Sequence, residues 1–226
     1  MIKNLLFLII LLTFAVVLHA QDRNYNIYSV STDQDLPTND LQYVYQDSYG
    51  FLWIASYEGI VRWDGYNFRK YRHHESDSTT INHNIVYTIF EDSQRRLWVG
   101  TIEGLNLYDR FKDNFIRIQL GPTNPKIPVN AIREDSKHQL WLGTSTGLCL
   151  YDHDTKKIDW FVDDTFDVVF CLSIDSDDNL WAGTFNGGVK KFDQTTRSFE
   201  RFNQRGTGRK SVHSDNIKSI LCDRRG

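Results

Sequence analysis

DSQRRLWVGTIEGLNLYD, residues 92–109, is one copy of a pattern that the chain writes four times and begins a fifth time. Self-similarity at a fixed period is the signature of a repeat architecture and takes precedence over any local reading. Counted from the leading Asp, Leu and Trp stand at plus five and plus six: Leu52/Trp53, Leu97/Trp98, Leu140/Trp141 and Leu180/Trp181. A small residue follows at plus eight (Ala55, Gly100, Gly143, Gly183) and a hydroxyl at plus nine (Ser56, Thr101, Thr144, Thr184). Glycine stands at plus twelve (Gly59, Gly104, Gly147, Gly187). The leading aspartates, Asp47, Asp92, Asp135, Asp175 and Asp223, are spaced 45, 43, 40 and 48 residues apart, and a second Asp closes each unit at Asp64, Asp109, Asp152 and Asp193.

Within one unit, alternation and punctuation predict four short strands. In the second copy they run over 85–91, 96–101, 105–108 and 114–118. The link at 92–95 is turn-like, and Gly50 in the first copy marks a position suited to positive φ. A unit of this size with four strands is a propeller blade. The fold class expected is therefore all-β, a β-propeller of four-stranded blades with repeats at roughly 38–82, 83–126, 127–165 and 166–213. Residues 214–226 would begin a fifth blade with its inner strand, leaving an incomplete propeller.

The apolar columns ahead of each Asp support that inner strand. Position minus six is Leu41, Val86, Val129, Val169 and Ile217, and minus three is Val44, Ile89, Ile132, Leu172 and Ile220. Their odd separation places them on opposite faces of an ideal strand, so both faces are expected to be covered by neighbouring blades. The repeated Trp then reads as a wedge between blades whose indole N–H needs one acceptor.

Composition agrees with an exported all-β domain. Eleven Tyr, fourteen Phe and six Trp favour strands, and a formal net charge of -3 gives no footprint for nucleic acid. Lys3 and the apolar run 5–18 before Ala20 read as a signal peptide over 1–20, the run being too short to span a bilayer as a helix. Residues 21–226 are the expected mature part. Three cysteines, an odd number at non-equivalent repeat positions, read as buried thiols and not as a disulfide framework.

These residues resemble the two-component regulator propeller repeat: an Asp turn, Leu-Trp-Val-Gly-Thr, a Gly-Leu pair and a closing Tyr-Asp, over about 33–226. That family forms the exported sensor regions of hybrid histidine kinases, mostly in bacteria that degrade polysaccharides. The resemblance implies an N-terminal fragment of a periplasmic sensor, anchored in the inner membrane when intact, whose kinase and other signalling domains lie downstream. It implies no enzyme activity for these residues; a propeller lyase or glycosidase is the competing reading, since fold alone does not choose between them. The first copy departs from the pattern at Ala55 and Ser56, and the fourth inserts Gly188.

No catalytic motif, metal site or cofactor is expected. Asp175, Asp177 and Asn179 start a calcium-loop spacing, but Leu180 stands where Gly is required. His73, His74 and His83 lack matching ligands and read as parts of an inter-blade connection. Ligand contacts are expected on one rim, where the chain enters each inner strand and where the second and third strands join. The entering positions are Asn39, Asp40, Asn84, Asp167 and Asp215, and the joining positions are Tyr57, Glu58, Glu103, Ser145, Thr146, Phe185 and Asn186. Carboxylates, amides and two aromatics around one mouth suit a small molecule or a neutral, hydroxyl-rich oligosaccharide; a homodimer is the other association left open.

Overall fold

The structure, a computed structural model, describes residues 36, 38–121, 126–162, 167–208 and 211–223. The expected signal peptide lies outside them. The strands form four antiparallel sheets, each in sequence order. Blade one comprises β1 (Leu41–Gln46), β2 (Leu52–Ser56), β3 (Gly59–Trp63) and β4 (Phe68–Tyr71), and blade two β5 (Val86–Glu91), β6 (Leu97–Thr101), β7 (Gly104–Asp109) and β8 (Asn114–Ile118). Blade three comprises β9 (Val129–Glu134), β10 (Leu140–Thr144), β11 (Gly147–Tyr151) and β12 (Ile158–Phe161), and blade four β13 (Val169–Ile174), β14 (Leu180–Thr184), β15 (Val189–Asp193) and β16 (Ser198–Phe202). The first strand of each blade packs beside the first strand of the next, as the inner strands of a propeller do. No α-helix is present among the described residues.

Each column of the repeat has one physical task. The leading Asp builds the turn from the first to the second strand: Asp135 Oδ1 accepts the backbone N–H groups of Lys137 and Gln139, both at 3.0 Å. Its other oxygen accepts the indole N–H of Trp141 at 2.9 Å. The same indole bond recurs at Asp47–Trp53, Asp92–Trp98 and Asp175–Trp181. In every copy the third residue after the Asp has positive φ: Gly50, Arg95, His138 and Asp178. The closing Asp does similar work between the third and fourth strands, Asp152 Oδ1 accepting the N–H groups of Asp154 and Thr155. Backbone donors therefore hold the Asp152 carboxyl below its ordinary pKa.

The plus-nine hydroxyl closes the turn from second to third strand. Thr144 Oγ1 accepts the N–H of Thr146 and donates to the carbonyl of Gly147 at 2.8 Å. Gly147 lies at φ 117°, and a Cβ there would stand 2.8 Å from the Phe161 carbonyl oxygen. In blade four the positive-φ glycine is Gly188 and not Gly187, because the insertion lengthens the turn: Thr184 Oγ1 donates to Gly188 O at 2.9 Å. The repeat role expected of Gly187 thus belongs to its neighbour.

The inner strands correct the expectation about faces. Val86 pairs with Thr101 and Thr88 with Gly100, so Tyr87 is an extra residue, a β-bulge. The extra residue flips the parity of the strand, and Val86 and Ile89 come to lie on one face with Val99. The shift recurs at the same place in blades one, three and four, leaving Gln42, Asn130 and Phe170 as the extra residues. That shared face packs into the preceding blade, where Trp53, Ala55, Val86, Ile89 and Val99 form one buried cluster.

The wedge expected of the Trp residues is present. Trp53 meets Tyr108 of the next blade at a ring separation of 4.8 Å, Trp98 meets Tyr151 at 5.9 Å, and Trp141 meets Phe192 at 5.4 Å. The plus-eight residue is small because the next inner strand seats on it: a Cβ on Gly100 would lie 2.5 Å from the Val129 carbonyl oxygen, and one on Gly143 would lie 2.7 Å from a Val169 methyl. A clasp absent from the sequence reading joins the blades at the Asp turns. Ser93 donates its N–H and Oγ–H to the two oxygens of Glu134 at 2.7 and 2.9 Å, and Ser48 does the same to Glu91. In blade four the acceptor moves to Asp178, which takes both donors of Ser136.

Residues 214–223, expected to supply an inner strand, lie along blade four without joining a named strand. Ile217 donates its N–H to Thr184 O at 2.9 Å, and Cys222 donates its own to Ser173 Oγ. All three cysteines are free, with Cys149 buried and Cys171 and Cys222 partly exposed.

Asp135→Ala removes one acceptor from a buried indole and two from a turn, so it is expected to cost about 3 kcal/mol. Asp152→Ala, in an exposed turn, should lose much less. Urea unfolding of both variants checks the ranking. Acid should act on the equivalent contact of blade four. Burial opposes the ionised form of Asp175, yet its bonds from Trp181 and Asn179 outweigh this and keep its pKa below the ordinary carboxylate value. Its contribution is therefore complete above the unfolded value, about 3.9, and lost as pH falls through the lower folded value. A urea midpoint flat above that range and falling below it is the expected profile.

Candidate functional site

Around the axis, the four inner strands and the turns between second and third strands enclose a concave space of about 590 Å³. The bulge residues Gln42, Tyr87, Asn130 and Phe170 line it, together with Lys218, the residue at the same distance from the fifth Asp. The bulge explains this placement, because a residue left unpaired by the ladder is free to turn toward the axis. This column holds a different residue in every copy, as does the one after it (Tyr43, Thr88, Ala131, Cys171, Ser219), between the apolar columns at minus six and minus three. It was missing from the candidates; its signal was variability inside an otherwise regular strand.

Tyr57 and Ser145, from the expected set, line the same space with Tyr43, Ile102 and Arg133. Burial, and then the neighbouring Tyr57, push the Tyr87 phenol above its ordinary pKa, so it is a neutral donor and acceptor at physiological pH. Phe185 stands over Phe170 in an edge-on contact at 5.7 Å and is 43% exposed. Lys218 Nζ lies 4.1 Å from the centre of the Phe170 ring. Asn130 is held by a 2.9 Å bond from Nδ2 to Val169 O.

Other expected residues are engaged within the fold. Asn84 Oδ1 accepts the N–H of His73 at 2.7 Å, tying the inter-blade connection to the strand entry. Glu58 pairs with Arg72 and Glu103 with Lys126, each at 2.8 Å. Asp167 pairs with Lys190 at 2.7 Å, with both side chains nearly buried. Asp215 accepts the N–H of Gln204, and Thr146 stays beside Thr144. Asn39, Asp40 and Asn186 do not line the axial space. The shared rim itself is present: Phe185 N–H donates to Val168 O and Ser145 N–H to Pro128 O, joining turn to strand entry.

The calcium-loop spacing at Asp175 is a turn, its carboxylate taken by Asn179, Trp181 and the Asp177 N–H. Among the described residues no group of three His, Cys, Asp or Glu is placed to hold a metal ion. His73 Nδ1 lies 2.9 Å from Ile81 O, and its ring stacks with that of His83.

Residues 35–58, 80–103 and 165–186 match the family model described as two component regulator propeller. These three stretches match the two-component regulator propeller repeat. Each match runs from the entry of an inner strand to the following turn, the part of the blade that holds the bulge, the Asp turn and the Trp. The chain is 34% identical over 77 residues to histidine kinase P4 of Formosa agariphila, covering 34% of this chain and 6% of that protein. In three dimensions the chain is similar to the extracellular domain of a protein assigned as a hybrid two component system in B. thetaiotaomicron, at TM-score 0.58 and 19% identity over 89% of this chain and 37% of that one. Virginiamycin B lyase from Staphylococcus aureus shares the propeller at TM-score 0.57 and 15% identity, over 74% of this chain and 57% of the lyase. At these identities the solved structures show the fold alone. The family match is to a regulator and not to an enzyme.

The rim carboxylates separate by burial. Asp167→Ala strips a partner from the nearly buried Lys190 and should destabilise the chain clearly, whereas Glu58→Ala opens an exposed pair worth under about 1 kcal/mol. Thermal melts of the two variants check that order; equal losses would contradict it.

Proposed function

We propose that the chain is the ligand-reading portion of an exported two-component sensor, and that an oligosaccharide binds in the axial mouth. The observation that carries this reading is the bulge column. The position left unpaired by the bulge holds a different residue in each blade, and its side chains line the concave space at the axis. A residue that serves the repeat has the same character in every copy; a residue that serves a ligand need not.

The chemistry of the lining supports the ligand class. Tyr57 and Tyr87 offer flat apolar faces with a hydroxyl at the tip, Gln42 and Asn130 offer amides, and Phe170 and Phe185 add exposed ring area. Aromatic faces beside polar groups suit a sugar ring, with C–H groups on its faces and hydroxyls at its edge. Occupancy would bias the arrangement of signalling domains in a longer chain by as much as the ligand prefers one state. The relation to histidine kinases supports that downstream partner, as the relation to extracellular sensor domains supports export.

Tyr87→Ala and Phe170→Ala are expected to weaken oligosaccharide binding about tenfold or more, near 1.4 kcal/mol, while the melting temperature moves by only a few degrees. Titration calorimetry of a binding oligosaccharide, with melts of the same samples, separates the two effects. Unchanged affinity in both variants, with loss on substitution at the Asp92–Arg95 turn, would place the site on the opposite rim.

A further inference from the structure

The charges around the mouth narrow the ligand class, on the reading that the axial mouth is the binding site. None of the residues lining the space is an aspartate or a glutamate, although the chain as a whole has a formal net charge of -3. Two cations line it, Arg133 and Lys218. Among the described residues neither forms an ion pair with a carboxylate. Arg133 donates one guanidinium N–H to Ile132 O at 2.7 Å and keeps its remaining donors, and Lys218 rests on the faces of Phe170 and Phe185. Three of the five rim carboxylates are neutralised, Glu58 by Arg72, Glu103 by Lys126 and Asp167 by Lys190, while Asp40 and Asp215 do not line the space.

We infer that the mouth selects an acidic oligosaccharide, one bearing uronate carboxylates or sulfate esters, over a neutral one. A guanidinium presents a planar fork that matches a carboxylate or sulfate edge, and an ammonium supplies a point charge. Lys218 on an aromatic face adds a geometric requirement: a sugar ring stacked on Phe170 brings its acidic substituent beside the ammonium. The sequence-based expectation of a neutral ligand counted carboxylates that the fold turns away from the axis or pairs internally. Exposed charge pairs are screened within about 8 Å at physiological salt, so the selectivity should weaken as salt rises.

The test is calorimetric titration of the full chain with four probes: oligogalacturonate, chondroitin sulfate oligosaccharide, cello-oligosaccharide and xylo-oligosaccharide, each at low and high salt. At least one acidic probe is expected to bind about tenfold more tightly than either neutral one, and Arg133→Gln and Lys218→Gln each to remove most of that margin. Lys218 is exposed, so its variant keeps the fold, which a melt verifies. The two acidic probes distinguish carboxylate from sulfate recognition. Neutral probes binding as well as acidic ones, with affinity lost in Tyr87→Ala but kept in both charge variants, would overturn the inference and leave the axial site standing. Binding of any probe that ignores Tyr87→Ala, Phe170→Ala and both charge variants, or no binding at all, would overturn both.

Discussion

One hydrogen bond, from the tryptophan indole to the carboxylate six residues before it, ties the turns, strands and blades of this structure together. The Asp carboxylate is buried, Asp47, Asp92 and Asp135 each being 4% exposed, and such a charge persists only when its oxygens are fully engaged. One oxygen holds two backbone N–H groups of the turn and the other holds the indole. The indole ring then has a single orientation, directed at the third strand of the next blade, where it meets Tyr108, Tyr151 or Phe192. Local turn geometry and inter-blade packing are therefore a single constraint, which explains why Asp and Trp recur together at fixed spacing.

That constraint leaves the inner strand to satisfy two demands. Its apolar residues must enter the preceding blade, and its path must pass close to the axis. The bulge meets both, keeping Val86 and Ile89 on one face and expelling Tyr87 toward the centre. The small residue at plus eight completes the fit, since the next inner strand comes within contact of the Gly100 and Gly143 backbone. Regular packing and variable chemistry thus sit on adjacent residues of one strand, an arrangement in which the axial lining can change without disturbing the blades.

Much of this was legible in the sequence, for identifiable reasons. Strands and turns follow from local rules, and the second blade was placed within about a residue at each end, the usual limit of boundary assignment. The Trp wedge followed from repetition. The faces of the inner strand were misread because alternation presumes an unbroken ladder, and a bulge has no composition of its own: two amides, Gln42 and Asn130, and two aromatics, Tyr87 and Phe170, occupy it. The candidate site suffered for the same reason. Rim loops were located correctly, but Glu58, Glu103 and Asp167 find their partners 14 to 23 residues away in sequence, and such pairings appear only once the chain is folded. The serine clasp was hidden likewise, as Ser93 and Glu134 belong to different repeats.

The most direct test of the central constraint is hydrogen exchange at the indole nitrogens. Trp98 and Trp141 are engaged by a buried carboxylate and covered by the next blade, whereas Trp63 and Trp160 stand partly exposed in third and fourth strands. The account predicts that the Trp98 and Trp141 indole protons exchange only with global unfolding, with protection that falls in step with stability as urea is added, while those of Trp63 and Trp160 exchange through local openings. Equal exchange rates for all four would show that the Asp–Trp bond does not hold the blades together.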